Sequence, residues 1–167
     1  MLGLDYDLVW LPVLKVIIAI FLGGLIGLER ELASKPAGLR THMLVAGASA
    51  LLVILGDIMI KQYAGNTALT GATRADPIRI IEAIITGISF LGAGTIIFRG
   101  HRESVEGLTT AASILFAAAI GITVALHRYF LALIITLVVI VILFWLGYIE
   151  RFIRKYRRPF QKEEPDE

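Results

Sequence analysis

Five long apolar segments dominate this sequence and constrain what it can fold into. They occupy residues 9–28, 43–60, 78–98, 108–126 and 129–149. A helix that crosses a bilayer needs about 20 mainly apolar residues, and each segment is close to that length. The chain is 57% hydrophobic and 18% charged, whereas a soluble domain carries about 25% charged residues. We therefore predict an all-α integral membrane protein with five transmembrane helices.

The chain divides into a transmembrane domain, residues 1–150, and a tail, residues 151–167. The tail opens with five basic residues in the eight positions 151–158 and closes with an acidic stretch. Basic residues beside a membrane attract anionic lipids. We expect the tail to bind such lipids at its start and to be disordered from residue 161 onward.

Basic residues are distributed unevenly between the two sides of the predicted bundle. The side with residues 29–42, residues 99–107 and the tail has eleven Lys and Arg, and the other side has four. Cytoplasmic loops carry the excess of positive charge in membrane proteins. The sequence therefore predicts an external N-terminus and a cytoplasmic C-terminus.

Small residues mark the faces where membrane helices approach one another. In the first segment Ala19, Gly23 and Gly27 recur every four residues, which places them on one helix face. This stripe can serve contacts within one chain or between the two chains of a homodimer, and the sequence leaves both open.

The third and fifth segments differ in their small residues. The third contains Gly87, Gly92 and Gly94, and the closely spaced last two predict a helix break or a very close contact. The fifth is almost entirely large and aliphatic or aromatic between residues 131 and 146. We predict that helices one to four pack through small residues and that helix five is peripheral.

Charged residues near the outer ends of the helices form a first candidate site, composed of Lys15, Asp57, Asp76, Arg79 and Glu82. An unpaired cation in hydrocarbon costs at least about 2.5 kcal/mol. We expect Lys15 either to pair with Asp57 or Glu82, fixing the helix register, or to extend outward to the interface. The functional alternative is a cation or proton pathway. In it Asp57 and Glu82 are the candidate metal ligands, because hard divalent ions prefer carboxylate oxygens.

Four motifs make a family resemblance apparent. They are GLERE at residues 27–31, KPAGLRTH at 35–42, GISFLGAGTI at 87–96 and GLTTAA at 107–112. Together they resemble the membrane domain of the MgtC/SapB family of bacterial inner-membrane proteins, without the C-terminal soluble domain of longer members. The resemblance implies a multi-helix protein of the inner membrane, connected with adaptation to low magnesium and, in pathogens, with survival inside host cells.

Most of the motif residues fall on the predicted cytoplasmic face. This second candidate site contains Glu29, Arg30, Arg40, Thr41, His42, Glu106, Thr109 and Thr110. Both signs of charge stand beside hydroxyl and imidazole groups, which favours a structured polar site over a solvated interface of extended side chains. We expect Arg40 to pair with Glu29 or Glu106.

Enzymatic activity has little support in the sequence. It contains no phosphate-binding G-x-x-x-x-G-K-[ST], no G-x-S-x-G, no H-E-x-x-H and no cysteine, so we assign no catalytic residue. We predict a non-enzymatic protein of magnesium or ion homeostasis that acts through its cytoplasmic polar face. It would have no resident cofactor, with Mg²⁺ as ligand or signal.

The expected partners are the bilayer, a second copy of the chain or another membrane protein, and not nucleic acid. The alternative function is a cation channel or secondary transporter, for Mg²⁺ or coupled to protons.

Overall fold

Five helices carry the fold of the residues described by this computed structural model, which are 6–64, 76–99 and 104–157. A short two-stranded hairpin joins the third helix to the fourth. The elements are α1 Tyr6–Leu32, α2 Leu39–Ala64, α3 Pro77–Ala93, β1 Ile97–Arg99, β2 Ser104–Glu106, α4 Leu108–Ala125 and α5 Tyr129–Arg157. The predicted helical class and the number of helices are confirmed.

Three helices contain stretches long and apolar enough to cross a membrane, and these are Trp10–Leu32, Leu39–Gln62 and Leu108–Ala125. α5 contributes a shorter apolar stretch, Tyr129–Trp145. α1 and α2 both extend beyond the apolar segments from which they were predicted.

α3 ends earlier than its apolar segment suggests, at Ala93, so the predicted third span is too long at its C-terminal end. Gly94 caps the helix, and Thr95 Oγ1 donates a hydrogen bond of 2.7 Å to the Gly92 carbonyl oxygen. The two glycines favour a break, as predicted, because glycine is a poor helix former. The chain then turns into β1, which pairs antiparallel with β2.

Asp76, one residue of the predicted outer charged group, has a structural role at the start of α3. The Asp76 carboxylate accepts a hydrogen bond of 2.9 Å from the Ile78 backbone N–H, and Pro77 occupies the first helical position. This is the usual way to satisfy a free backbone donor at a helix start. Asp76 is therefore a helix cap.

α1, α2 and α4 form the centre of the bundle and cross at Ala46 of α2. A Cβ built on Gly23 of α1 would lie 2.6 Å from the Ala46 Cβ, and one built on Gly121 of α4 would collide with the Ala46 carbonyl oxygen. Ala19 and Gly27 lie on the same buried face of α1 as Gly23. The predicted small-residue stripe is therefore used within one chain.

α5 lies at the edge of the bundle, as predicted, and contacts α1 and α4. Ala132, Val139 and Leu143 form its buried face. Phe130 and Phe144 are 77% and 66% exposed, which suits a helix that faces lipid.

α3 is also largely exposed, and the prediction that its Gly87 packs against another helix is wrong. Ile84 and Gly92 are its buried residues. A Cβ built on Gly92 would lie 3.4 Å from the Ala111 Cβ of α4. Gly87 faces open space. It does not contribute to packing between the described helices, because no atom of another described element lies within 4 Å of the position of its Cβ.

Candidate functional site

A buried group of polar side chains lies where α1 ends and where α2 and α4 begin. We call it the polar end, and it consists of Glu29, Arg30, His42, Thr110 and Ser113. Arg30 is 3% exposed and His42 is fully buried, while Thr110 and Ser113 are each 2% exposed. Burial of this kind is unusual for polar groups unless they are hydrogen-bonded to one another or to the backbone.

His42 connects α2 to α4. Its Nδ1 atom lies 2.8 Å from the Gly38 carbonyl oxygen, and its Nε2 atom lies 3.0 Å from Ser113 Oγ. Ser113 Oγ also lies 2.8 Å from the carbonyl oxygen of Thr110, one turn earlier on α4. The imidazole is therefore held on both nitrogens inside the bundle.

Two glycines of α1 create the space for this arrangement. A Cβ built on Gly27 would lie 2.7 Å from Leu39 Cα and 3.0 Å from His42 Cβ, and one built on Gly23 would lie 2.6 Å from the His42 carbonyl oxygen. α1 and α2 are thus in backbone contact beside His42. Larger residues at either position would push α2 away from α1.

Arg30 and Glu29, which are neighbours in the chain, form an ion pair in which Arg30 is buried and Glu29 is partly buried. Arg30 Nε donates to Glu29 Oε2 at 2.6 Å, and Arg30 Nη2 donates to Glu29 Oε1 at 3.0 Å. The side chains are only 4% and 15% exposed. Arg30 Nη1 is buried without a hydrogen-bond partner in the described part of the chain.

This pair corrects the predicted contact between Arg40 and Glu29. Arg30 occupies both oxygens of the Glu29 carboxylate, and Arg40 points to the exterior as an exposed residue. Arg40 is the second residue of α2, and its long side chain can reach solvent from there. The predicted pair of Arg40 with Glu106 falls outside the described side chains.

The loop between α1 and α2 is fixed by the last glutamate of α1. Glu31 Oε2 accepts a hydrogen bond of 3.1 Å from the Leu39 backbone N–H at the start of α2. A Cβ on Gly38 would collide with this carboxylate. Gly38 therefore leaves room for the cap of α2, and its own carbonyl oxygen accepts from His42.

The remaining predicted residues of this face differ in how far they are buried. Arg40 and Thr109 are exposed, Thr41 is partly buried, and Thr110 is buried. Ser113 was missed, although Thr110, Ser113, Ala117 and Gly121 recur at intervals of three and four residues. That spacing marks one helix face and is the signal that would have revealed it.

The opposite end of the bundle is assembled differently from the prediction. Lys15 Nζ donates to the Ala125 carbonyl oxygen at 3.2 Å and to His127 Nε2 at 2.7 Å. It does not form an ion pair with Asp57 or Glu82, because the free carbonyl groups at the end of α4 lie within its reach. Lys15 thereby joins the start of α1 to the turn between α4 and α5.

The carboxylates of this end do not converge. Asp57 pairs with Lys61 on its own helix at 2.7 Å, both largely exposed. Arg79 and Glu82 are exposed on α3. Within the described residues no three His, Asp or Glu side chains come together as metal ligands do. Asp57 and Glu82 remain candidate ligands from the sequence alone.

The architecture is that of a multi-span helical membrane protein with a buried polar cluster at one end. The MgtC family model matches residues 16–152, and the chain belongs to that family. It is 37% identical over 122 residues to the putative magnesium transporter YhiD of Escherichia coli, which covers 70% of this chain and 52% of YhiD.

Two other relatives show the same pattern of partial coverage. Protein SapB of Bacillus subtilis is 37% identical over 116 residues, covering 70% of this chain and 48% of SapB. Protein MgtC of Brucella abortus is 39% identical over 104 residues, covering 62% of this chain and 38% of MgtC. The chain thus spans about half the length of the curated relatives it matches. No solved structure matches it significantly.

Proposed function

We propose that this protein serves magnesium homeostasis in the inner membrane of a bacterium and acts without catalysing a reaction, through its polar end. Membership of the MgtC family and the name of the YhiD relative as a putative magnesium transporter support the link to magnesium. The excess of basic residues on the same side supports a cytoplasmic location for the polar end.

The Glu29–Arg30 pair, in which the guanidinium is buried and the carboxylate is partly buried, is the observation that carries this proposal. Burial of an ion pair requires the desolvation of both charges, and apolar residues of similar size often stabilise a protein at least as well. Arg30 additionally keeps one buried nitrogen without a partner among the described residues. Such an arrangement is poorly explained by stability alone and favours a functional role for the pair.

The character of the middle of the bundle favours this mechanism over transport through the chain. Between the polar end and Lys15, the core consists mainly of apolar side chains, which include Leu22, Ile26, Ile54, Ile120 and Val124. A cation crossing a membrane needs oxygen ligands or water along its path. The apolar middle therefore supports action at one face of the membrane.

The test is growth under magnesium limitation of a bacterial strain that lacks its own family members and expresses variants of this chain. Glu29→Gln keeps a hydrogen-bond acceptor for Arg30 but removes the charge, and Arg30→Met removes the guanidinium. We expect both to lose growth support while the protein remains at its normal level in the membrane.

Asp57→Asn and Glu82→Gln are the matched controls, because they remove carboxylates from the opposite end. They are expected to grow like the unmodified protein. If they fail and the Glu29 and Arg30 variants grow, the working site lies at the outer end. Magnesium flux into liposomes that contain the purified protein would then be the expected activity.

A further inference from the structure

The hydrogen bonds around His42 cannot all form while the imidazole is neutral. The Gly38 carbonyl oxygen can only accept, so Nδ1 must carry a hydrogen. Ser113 has a single hydroxyl hydrogen, and two acceptors are within its reach. One is the Thr110 carbonyl oxygen at 2.8 Å, and the other is His42 Nε2 at 3.0 Å when that nitrogen is unprotonated.

The two destinations of that hydrogen correspond to two protonation states of the imidazole. With neutral His42, Nε2 is an acceptor, and the Ser113 hydroxyl must donate to it. With positively charged His42, Nε2–H donates to Ser113 Oγ, and the hydroxyl is free to donate to Thr110. Both contacts of Ser113 are therefore satisfied together only when His42 carries the extra proton.

The charged groups that face His42 lie on α1. They are Arg30 and Glu29, which are paired with each other. From α4 His42 meets the neutral hydroxyl of Ser113, and the nearest ionisable residue on its own helix, Arg40, is exposed. An added proton on His42 thus places a second positive charge beside the Arg30 guanidinium, and Glu29 is the acidic group that faces both among the described side chains.

We propose that His42 and Ser113 form a proton-binding site inside the polar end. A proton from water forms an N–H bond at His42 Nε2, and the Ser113 hydrogen rotates from Nε2 to the Thr110 carbonyl oxygen. Release of the proton reverses both changes. The physiological meaning of this site rests on the proposed function. The proton would set the charge of the polar end, which acts in magnesium homeostasis.

The test is nitrogen NMR of the full chain, labelled with ¹⁵N-histidine and held in lipid nanodiscs, across the pH range in which histidine ordinarily titrates. The His42 signals are identified in the double variant His101→Gln, His127→Gln, which leaves His42 as the single histidine. At high pH we expect hydrogen on Nδ1 and a bare Nε2. As the pH falls, the Nε2 resonance should shift to the position of a protonated nitrogen.

Ser113→Ala tests the role of the hydroxyl. We expect it to lower the midpoint of the His42 titration, because the charged imidazole then keeps a buried Nε2–H donor without its Ser113 acceptor, and a hydrogen bond to a charged group is worth more than the one lost from the neutral state. Ser49→Ala is the matched control, a buried serine of α2 with 1% exposure, and it should leave the midpoint unchanged. Ser113→Thr, which keeps the hydroxyl, should restore a titration close to that of the unmodified chain.

Three results would overturn the proposal: hydrogen on Nε2 with a bare Nδ1 at high pH, no titration of His42 in the range, or a midpoint unaffected by Ser113→Ala. None of these readouts depends on growth. A titrating His42 in a protein whose Glu29 and Arg30 variants still grow would leave the proton site intact and refute the proposed function alone.

Discussion

Gly121 of α4 lies so close to the main chain of Ala46 in α2 that no side chain fits between them. Gly23 of α1 approaches Ala46 from another side, with 2.6 Å between a built Cβ and the Ala46 Cβ. Ala46 is thus the point where the three central helices meet. His42 lies one helical turn away from it, so the packing at Ala46 also fixes the position of the imidazole.

Gly121→Ala should destabilise the protein. Overpacking of a closely fitted core costs about 1–3 kcal/mol, and the colliding atom here belongs to the backbone, which cannot rotate away. The measurement is the midpoint of thermal unfolding of the purified protein in detergent, followed by circular dichroism. Gly87→Ala is the control, since its new methyl group meets open space and alanine favours the helix by about 1 kcal/mol. Equal midpoints for the two variants would contradict the packing described here.

Glu31 and Gly38 should behave as a coupled pair. Glu31→Ala removes the acceptor for the Leu39 N–H, and loss of such a cap costs about 0.5–2 kcal/mol, with the low end expected at this exposed position. Gly38→Ala should cost a similar amount in the unmodified chain, because the methyl group displaces the carboxylate. In a chain that already carries Glu31→Ala, it should cost little more. A double-mutant cycle on unfolding free energies measures the difference, and additive effects would be inconsistent with the proposed contact.

Lys15→Met should lower the unfolding midpoint, because Lys15 Nζ donates to two groups in the turn after α4 and methionine donates to none. Lys61→Met is the matched control. Its ion pair with Asp57 lies on one helix, with side chains 73% and 59% exposed, and such pairs are worth about 0.3–0.5 kcal/mol. The control should therefore change the midpoint much less. A larger effect of Lys61→Met would argue against a role for Lys15 in joining α1 to the turn.

The orientation of the chain can be measured directly because the sequence has no cysteine of its own. A single cysteine added before Leu2 should react with a membrane-impermeant reagent in intact cells. One added after Glu167 should react only after the membrane is opened. This follows from the eleven basic residues on one side against four on the other. Reaction of both sites in intact cells would show that the number of crossings is not five.

The sequence predicts the helices well and their contacts less well, for a physical reason. Helix number follows from the length of apolar segments, which is a local property, and small residues identify the faces of α1 that touch α2. The contact of His42 with Ser113 joins residues far apart in the chain, and no local pattern specifies it. The sequence leaves two alternatives for Lys15, a carboxylate partner or extension outward, and the carboxylate partner, which charge alone suggests, is wrong. The available acceptors were instead a helix-end carbonyl and an imidazole.

The sequence predicts one of the two residues of the ion pair at the polar end. The prediction pairs Arg40 with Glu29 or Glu106, whereas the partner of Glu29 is its neighbour Arg30. Adjacent residues on a helix usually point in different directions, so an ion pair between them is not anticipated from spacing. It forms here because the Arg30 side chain is buried and the Glu29 side chain beside it is partly buried, so that an unpaired charge would be costly.

α1 contributes to both ends of the bundle, with Lys15 bound to the turn after α4 and Arg30 near His42. At about 1.5 Å of rise per residue, these two residues are about 22 Å apart along one uninterrupted helix. Lys15 holds α1 against the end of α4, and Gly23 and Gly27 hold it against α2 nearer the polar end. A tilt of α1 that separates Lys15 from the turn after α4 would therefore also move Arg30 at the polar end, which couples the two ends of the bundle through one helix.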